Sequence, residues 1–296
     1  MSKQGLSRLS QKEKWVAFLF ILPLLLQFAI FLFGPLMYSL YISMTDWNIF
    51  GNKTFIGLDN YIDMIQNDRF WRAMGNTAFY LIGIPIGLAI SMVLAVWMNR
   101  GIPGITFFRF LIYLPVVSSI VAITILWQWM YNYEFGLINH VLSNFGIDPI
   151  NWLNNRNWVK PAIIILGVWR GLGVSTIFYL AALQNIPKTL YEAADIDGAN
   201  FLSKFRHITM PLLTPMTFFL IVTGVINTMQ IFVEIQIMTP AGGPGYSSAS
   251  IVFYIWQEGF QYNALGYASA ASWMLGLMIF ILTIFNFAIQ KRWVHQ

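Results

Sequence analysis

Cysteine is absent from the 296-residue sequence, which excludes disulfide frameworks and thiolate chemistry. Charge is scarce as well. Asp, Glu, Lys and Arg together make up 10% of the chain, against roughly a quarter in a soluble domain. Apolar residues reach 57% and mean hydropathy is +0.63. A soluble fold has too little charge here to wet its outside, so an ordinary cytosolic enzyme, a disordered chain and a secreted disulfide scaffold are all excluded. The catalytic and nucleotide signatures are missing too. There is no G-x-x-x-x-G-K-[ST] phosphate loop, no H-E-x-x-H and no G-x-S-x-G. His140, His207 and His295 have no metal-ligand spacing. The two halves show no internal repeat, and buried acids are few, which weakens the case for an autonomous ion-coupled secondary carrier of a polar solute.

What the chain has in abundance is long apolar runs. A hydrocarbon core of roughly 30 Å needs about 20 apolar residues in helix. Six segments meet this: Trp15–Met44, Met74–Met98, Ile105–Met130, Pro161–Leu183, Pro211–Met238 and Leu265–Ile289. Continuous runs of this kind exclude an outer-membrane barrel, whose strands alternate. The first run carries Pro23 and Pro35 and is longer than needed, so a tilted or kinked helix is expected. Its length, and the want of a small-residue cleavage pattern, predict a retained span rather than a cleaved signal.

The net charge of +5 and pI near 9.4 are explained by where the basic residues lie, without nucleic acid. Lys3, Arg8, Lys12, Lys14, Arg100, Arg109, Lys188, Lys204, Arg206, Lys291 and Arg292 fall on one side of the six runs. Lys53, Arg69, Arg72, Arg156 and Lys160 fall on the other, in longer loops. The positive-inside rule then puts both termini in the cytoplasm, and six spans are consistent with this because an even number returns the chain to its starting side. The expected fold is therefore an all-α polytopic membrane protein. Residues 1–14 form a basic cytoplasmic segment, 15–290 a single transmembrane domain and 291–296 a cytoplasmic tail.

One inner segment is unlike the others. Residues 184–211 are long, polar for this chain, and patterned as two helices. Asn185 and Pro187 suit a helix start, Lys188–Asp197 a helix, and Gly198 a left-handed stop. Asn200 caps a second helix, Phe201–Thr209, with Phe201, Leu202, Phe205 and Ile208 on an apolar stripe, ended by Pro211. Such an element either docks a partner or packs against its own bundle.

Glu192-Ala193-Ala194, then Asp197-Gly198-Ala199, Phe205, Ile208, Met210-Pro211 and Pro215, resembles the EAA loop of ATP-binding-cassette importer permeases. Met210 stands where the family usually has Leu. Further stretches resemble the binding-protein-dependent carbohydrate branch, the maltose- and glycerol-phosphate-like systems. These are Ala181–Pro187, Gly57-Leu58-Asp59-Asn60-Tyr61, Asn76-Thr77 and the Gly242-Gly243-Pro244 to Ser272 region. The resemblance implies a permease of a bacterial cytoplasmic (inner) membrane, not an enzyme. Its partners would be a second, unlike six-helix permease, two ATPase subunits and an extracytoplasmic solute-binding protein. The EAA loop would be the coupling helix, with Glu192, Ala193, Ala194, Asp197, Gly198, Ala199, Phe205 and Pro211 contacting the ATPase. ATP and Mg would be bound by that ATPase, and no cofactor by this chain.

Intramembrane polar groups are functional candidates by default. Arg170 lies in span four. Thr223, Asn227, Gln230 and Glu234 fall on one helical face of span five. They line a sugar pathway or bond neighbouring helices, and Arg170 is free to meet a sugar, pair with Glu234 or snorkel. Span three offers Ser118, Ser119, Thr124 and Gln128. Ala268, Ser272 and Gly276 suggest close packing of span six. Trp15, Trp47, Trp71, Trp97, Trp127, Trp129 and Trp293 form either an interfacial belt or stacking surfaces. Trp47–Arg72 and Asn132–Lys160 are long enough for small outer caps. The glycine-rich Thr239–Ser248 reads as a mobile outer element or a solvated connection.

Overall fold

In lipid no water satisfies backbone N–H and C=O groups, so an apolar chain must coil and satisfy them internally. The computed structural model describes residues 11–48, 51, 53–99 and 104–291, and these are mostly helical. Lys3, Arg8, Arg100, Arg292, Trp293 and His295 lie outside the described residues.

The first run is α1 (Gln11–Phe28), a widened turn at Ala29–Phe33, and α2 (Gly34–Ser43). The widened turn sits immediately before Pro35, whose missing N–H the helix accommodates by shifting to an i→i−5 bond from Gly34 to Ala29. A two-residue strand pair follows, β1 (Thr45–Asp46) against β2 (Thr54–Phe55), antiparallel with Thr45 opposite Phe55. It is a small departure from an all-α chain. Asn60 holds it, donating to the carbonyls of Ser43 and Thr45 at 2.9 and 3.0 Å.

Next come α3 (Asp59–Gln66), α4 (Asp68–Tyr80), α5 (Gly83–Met98), α6 (Ile105–Val117), α7 (Ile120–Met130), α8 (Leu137–Ser143) and α9 (Val159–Gln184). The loop helices are α10 (Lys188–Ile196), α11 (Phe201–Lys204) and α12 (Met210–Leu212). The rest are α13 (Thr214–Met229), α14 (Val233–Met238), α15 (Ile251–Trp256) and α16 (Leu265–Gln290). Among the described residues, four rods are long and apolar enough to cross a membrane: Glu13–Ser43, Asp68–Met98, Val159–Gln184 and Leu265–Gln290. Two further helix pairs are bent, α6 with α7 by 102° and Phe201–Leu212 with α13 by 59°, and counting each as one span gives six.

Spans three and five are therefore not the continuous helices that hydropathy predicts. Span three breaks at Ser118–Ser119, both in extended backbone with ψ of 149° and 129°. Span five does not begin at Pro211. The helix entering from the loop runs through Pro211 to Leu212. A widened turn at Phe205–Thr209, with the Met210 N–H on the Phe205 carbonyl, accommodates this proline as the first run accommodates Pro35. The break falls at Leu213, and a second one at Gln230–Phe232 separates α14 from α13.

The core lies between helices. Leu88, Met98, Tyr179, Leu183 and Leu213 join α5, α9 and the foot of α13. Met64, Phe70, Met229, Tyr254 and Leu275 join α3, α4, α13, α15 and α16. In span six Ala268 is buried, but a Cβ at Gly276 would meet nothing within 4 Å, so the small-residue stripe packs at one end only.

The glycine-rich segment 239–248 is not a solvated connection. Ser247 and Ser248 are buried. Asn76 donates to the carbonyls of Tyr246 and Ala249, Tyr80 to that of Ser248, and the Ser248 hydroxyl to Thr239. Gly242 and Gly243 take positive φ of 79° and 76°, which lets the chain fold under itself. Burial pushes the Tyr246 phenol up to about 12, against the lowering pull of Arg69.

The segment between α7 and α9 is organised by Asn139, which is 4% exposed. Its amide donates to the carbonyls of Tyr133 and Ile150 at 3.2 and 3.0 Å, and its oxygen accepts from the Ile150 N–H and the Trp152 indole at 3.1 and 2.9 Å. Asn139→Ala strands these groups in a buried place, at a cost of about 1–3 kcal/mol. The expected result is faster hydrogen exchange across residues 132–158 with α9 unchanged. Unaltered exchange there contradicts the role.

Candidate functional site

Two of these breaks, at Ser118–Ser119 and at Gln230–Phe232, border one space. A cavity of about 780 Å³ lies among α4, α5, α6, α9 and α13. Ser118 and Ile120 from the first break line it, as do Gln230, Ile231 and Phe232 from the second. This follows from backbone chemistry. Non-helical backbone at membrane depth is tolerated only where protein buries it or a cavity wets it.

All four candidate pathway residues reach this cavity. Arg170, Asn227, Gln230 and Glu234 line it, with Thr223 beside them. They are not one helical face. Thr223 and Asn227 project from α13, Gln230 stands at its C-terminal end, and Glu234 belongs to the separate α14. Of the three fates open to Arg170, the structure takes the ion pair. Arg170 Nη1 lies 3.5 Å from Glu234 Oε1, with the Glu234 side chain 7% exposed and that of Arg170 37%. The pair ties α9 to α14. An ion pair reached across two helices leaves both charges compensated in low dielectric, the condition under which buried charges persist.

Elsewhere the polar candidates serve structure. Thr124 is buried and its hydroxyl donates back to the Ile120 carbonyl, while Gln128 donates to the Ile237 carbonyl across the α7–α14 contact. Sequence reasoning missed Tyr80, Ser175, Thr228 and Phe232, which also line the cavity. It also missed the glycines Gly83, Gly87, Gly167 and Gly171. Their four-residue spacing on the facing helices α5 and α9 was the available signal.

The second candidate region is the loop 184–211. Asn185 is not the cap of α10, because its amide donates back to the Ala181 carbonyl, and Pro187 takes the capping position. At the far end Gly198 has φ +72°, with its N–H on the Asp195 carbonyl and the Ala199 N–H on that of Ala194, at 3.1 and 2.8 Å. These two bonds make a Schellman stop, which needs a left-handed residue at that point. Asn200 then caps α11, accepting from the Ser203 N–H at 2.9 Å.

The hairpin so formed is braced from within. The hydroxyls of Tyr191 and Thr209 lie 2.9 Å apart, Lys204 pairs with Asp195, and Tyr191 and Ile208 pack on the Leu183–Leu213 cluster. Phe205 is half-buried and stacks on Phe201, and Pro211 lies inside the continuing helix. Its tip faces outward. α10 has no buried residue, Glu192, Ala193, Asp197 and Gly198 are exposed, and Ala194 and Ala199 are partly covered. Ile196 is 88% exposed and Leu202 69%. The hairpin therefore presents apolar residues and exposed carboxylates at its tip.

The family model for binding-protein-dependent transport system inner membrane components matches residues 83–295. The chain is 35% identical over 294 residues to the lactose transport system permease protein LacF of Rhizobium radiobacter, covering 97% of this chain and 96% of LacF. It is 32% identical to the trehalose/maltose transport system permease protein MalF of Thermococcus litoralis, covering 94% and 91%. Among solved structures it is similar to a chain of a bacterial alginate transporter in complex with an alginate-bound periplasmic protein. There the TM-score is 0.83 at 26% identity, covering 95% of this chain and 96% of that one.

Proposed function

This chain belongs to the binding-protein-dependent transport system inner membrane components, and from that membership we propose that it is a permease subunit of an ATP-driven sugar importer. It crosses a bacterial cytoplasmic membrane six times with both termini inside. A second, unlike permease completes the pathway, and an extracytoplasmic binding protein delivers the solute. Two ATPase subunits bind the ATP and Mg, and the loop 184–211 sits in a cleft of the ATPase.

One observation carries the coupling role. The exposed hairpin around Glu192 and Gly198 connects α9 directly to α13, and both helices line the cavity that holds Arg170, Asn227 and Gln230. A force on the hairpin therefore reaches two walls of the cavity, α9 directly and α13 across the bend at Leu213. Sugar as the solute is supported by the names of the relatives, LacF and MalF, and by hydroxyl and amide side chains in the cavity wall.

The test is reconstitution with the co-purifying permease, ATPase and binding protein in proteoliposomes. Solute uptake is expected only with ATP inside the ATPase-facing compartment. Uptake by this chain driven by an ion gradient, with no ATPase present, overturns the reading.

A further inference from the structure

Among the described residues lining the cavity, Arg170 and Glu234 are the charged ones. The remaining polar lining is hydroxyl and amide, with Tyr80, Ser118, Thr223, Asn227, Thr228 and Gln230 among it. With its two charges 3.5 Å apart, the wall presents no net charge. Access to the pair is unequal. The guanidinium side chain is 37% exposed and the carboxylate 7%, so a solute meets Arg170 first, with Glu234 behind it.

A lone guanidinium in a partly enclosed, weakly screened space is an anion site, because its planar fork matches carboxylate and phosphate oxygens. Glu234 cancels that attraction. An anion brought to Arg170 meets a like charge a few ångströms further on, where salt screens poorly. A neutral polyol meets no such opposition, since its hydroxyls both accept from the guanidinium and donate to the carboxylate. Resting on the reading of the cavity as a sugar pathway, we infer that Glu234 is a charge filter. By neutralising Arg170 it lets neutral polyhydroxylated solutes pass and turns away anionic ones such as uronates. The break at Gln230–Phe232 is what aims α14 so that Glu234 returns to Arg170.

The test uses the purified importer in nanodiscs without its binding protein, which removes the donor's own selectivity. Saturation-transfer NMR is recorded with methyl glucoside and methyl glucuronoside, which differ by a hydroxymethyl against a carboxylate, and with the matching galacto pair. The wild type is expected to saturate the neutral glycosides and not the anionic ones. Glu234→Gln raises the anionic-to-neutral ratio by about tenfold, the effect of removing one weakly screened like charge. Arg170→Gln leaves anions excluded. Thr228→Lys adds the same net charge with the pair intact, so it gives the same shift even where Glu234→Gln fails to assemble.

Equal saturation of both glycosides by the wild type, or an unchanged ratio in Glu234→Gln and Thr228→Lys, overturns the filter while leaving the pathway standing. No saturation of any glycoside in any variant overturns the pathway reading, and the filter falls with it.

Discussion

An importer carrying Gly198→Val is expected to hydrolyse ATP while moving almost no solute, with the membrane bundle still assembled. The reasoning is local. A Cβ at Gly198 would meet nothing within 4 Å, so no side-chain clash arises. The cost comes from φ +72° alone. An L residue in the left-handed region costs roughly 1–2 kcal/mol, and a β-branched one more. That is enough to deplete the docking conformer about tenfold for Ala and further for Val. Asn tolerates the left-handed region, so Gly198→Asn should retain most uptake. Uptake measured against ATPase rate should therefore fall in the order Asn, Ala, Val. Full uptake by Gly198→Val removes the turn from the coupling mechanism. Glu192→Ala should uncouple as well, through the loss of a carboxylate exposed at the same tip.

Gly198 was legible from sequence because a left-handed stop leaves a residue-type signature. Spans four and six were legible because their apolar runs are long and uninterrupted. Other features left no such mark. Ser118 and Ser119 sit in a run apolar enough to hide a 102° bend. The extended backbone there borders the cavity through Ser118, a tertiary circumstance that hydropathy does not record. The spacing of Thr223, Asn227, Gln230 and Glu234 predicts one face. Ile231, Phe232 and Val233 look like continued helix, and the break among them was invisible. The same four residues still converge, because the break turns Glu234 back toward Arg170. The Asp195–Lys204 pair leaves no mark in the sequence for a related reason. It bridges two helices across the Gly198 turn, outside the three- and four-residue spacings that sequence inspection covers.

Three glycines of α9 separate the fold from the pathway. A Cβ at Gly173 would lie 2.5 Å from the Ile112 carbonyl oxygen and 2.7 Å from Val116 Cγ2, so α6 and α9 must part to admit it. The obstacle is partly backbone, which no rotamer change relieves. Overpacking of this kind costs about 1–3 kcal/mol, and Gly173→Ala belongs at the upper end or beyond. Gly167 and Gly171 are in the same helix, and a Cβ at either meets nothing within 4 Å. Ala at those positions should hold or raise stability, since Ala is about 1 kcal/mol the better helix former. Both line the cavity, so Gly167→Leu and Gly171→Leu should lower solute uptake without lowering the melting temperature of the complex. Gly173→Ala should lower the melting temperature first and uptake only as a consequence. Melting followed by size-exclusion chromatography, paired with uptake, distinguishes the two classes. A stable Gly173→Ala complex contradicts the close α6–α9 crossing, and unchanged uptake in both leucine variants moves the solute's path away from this cavity.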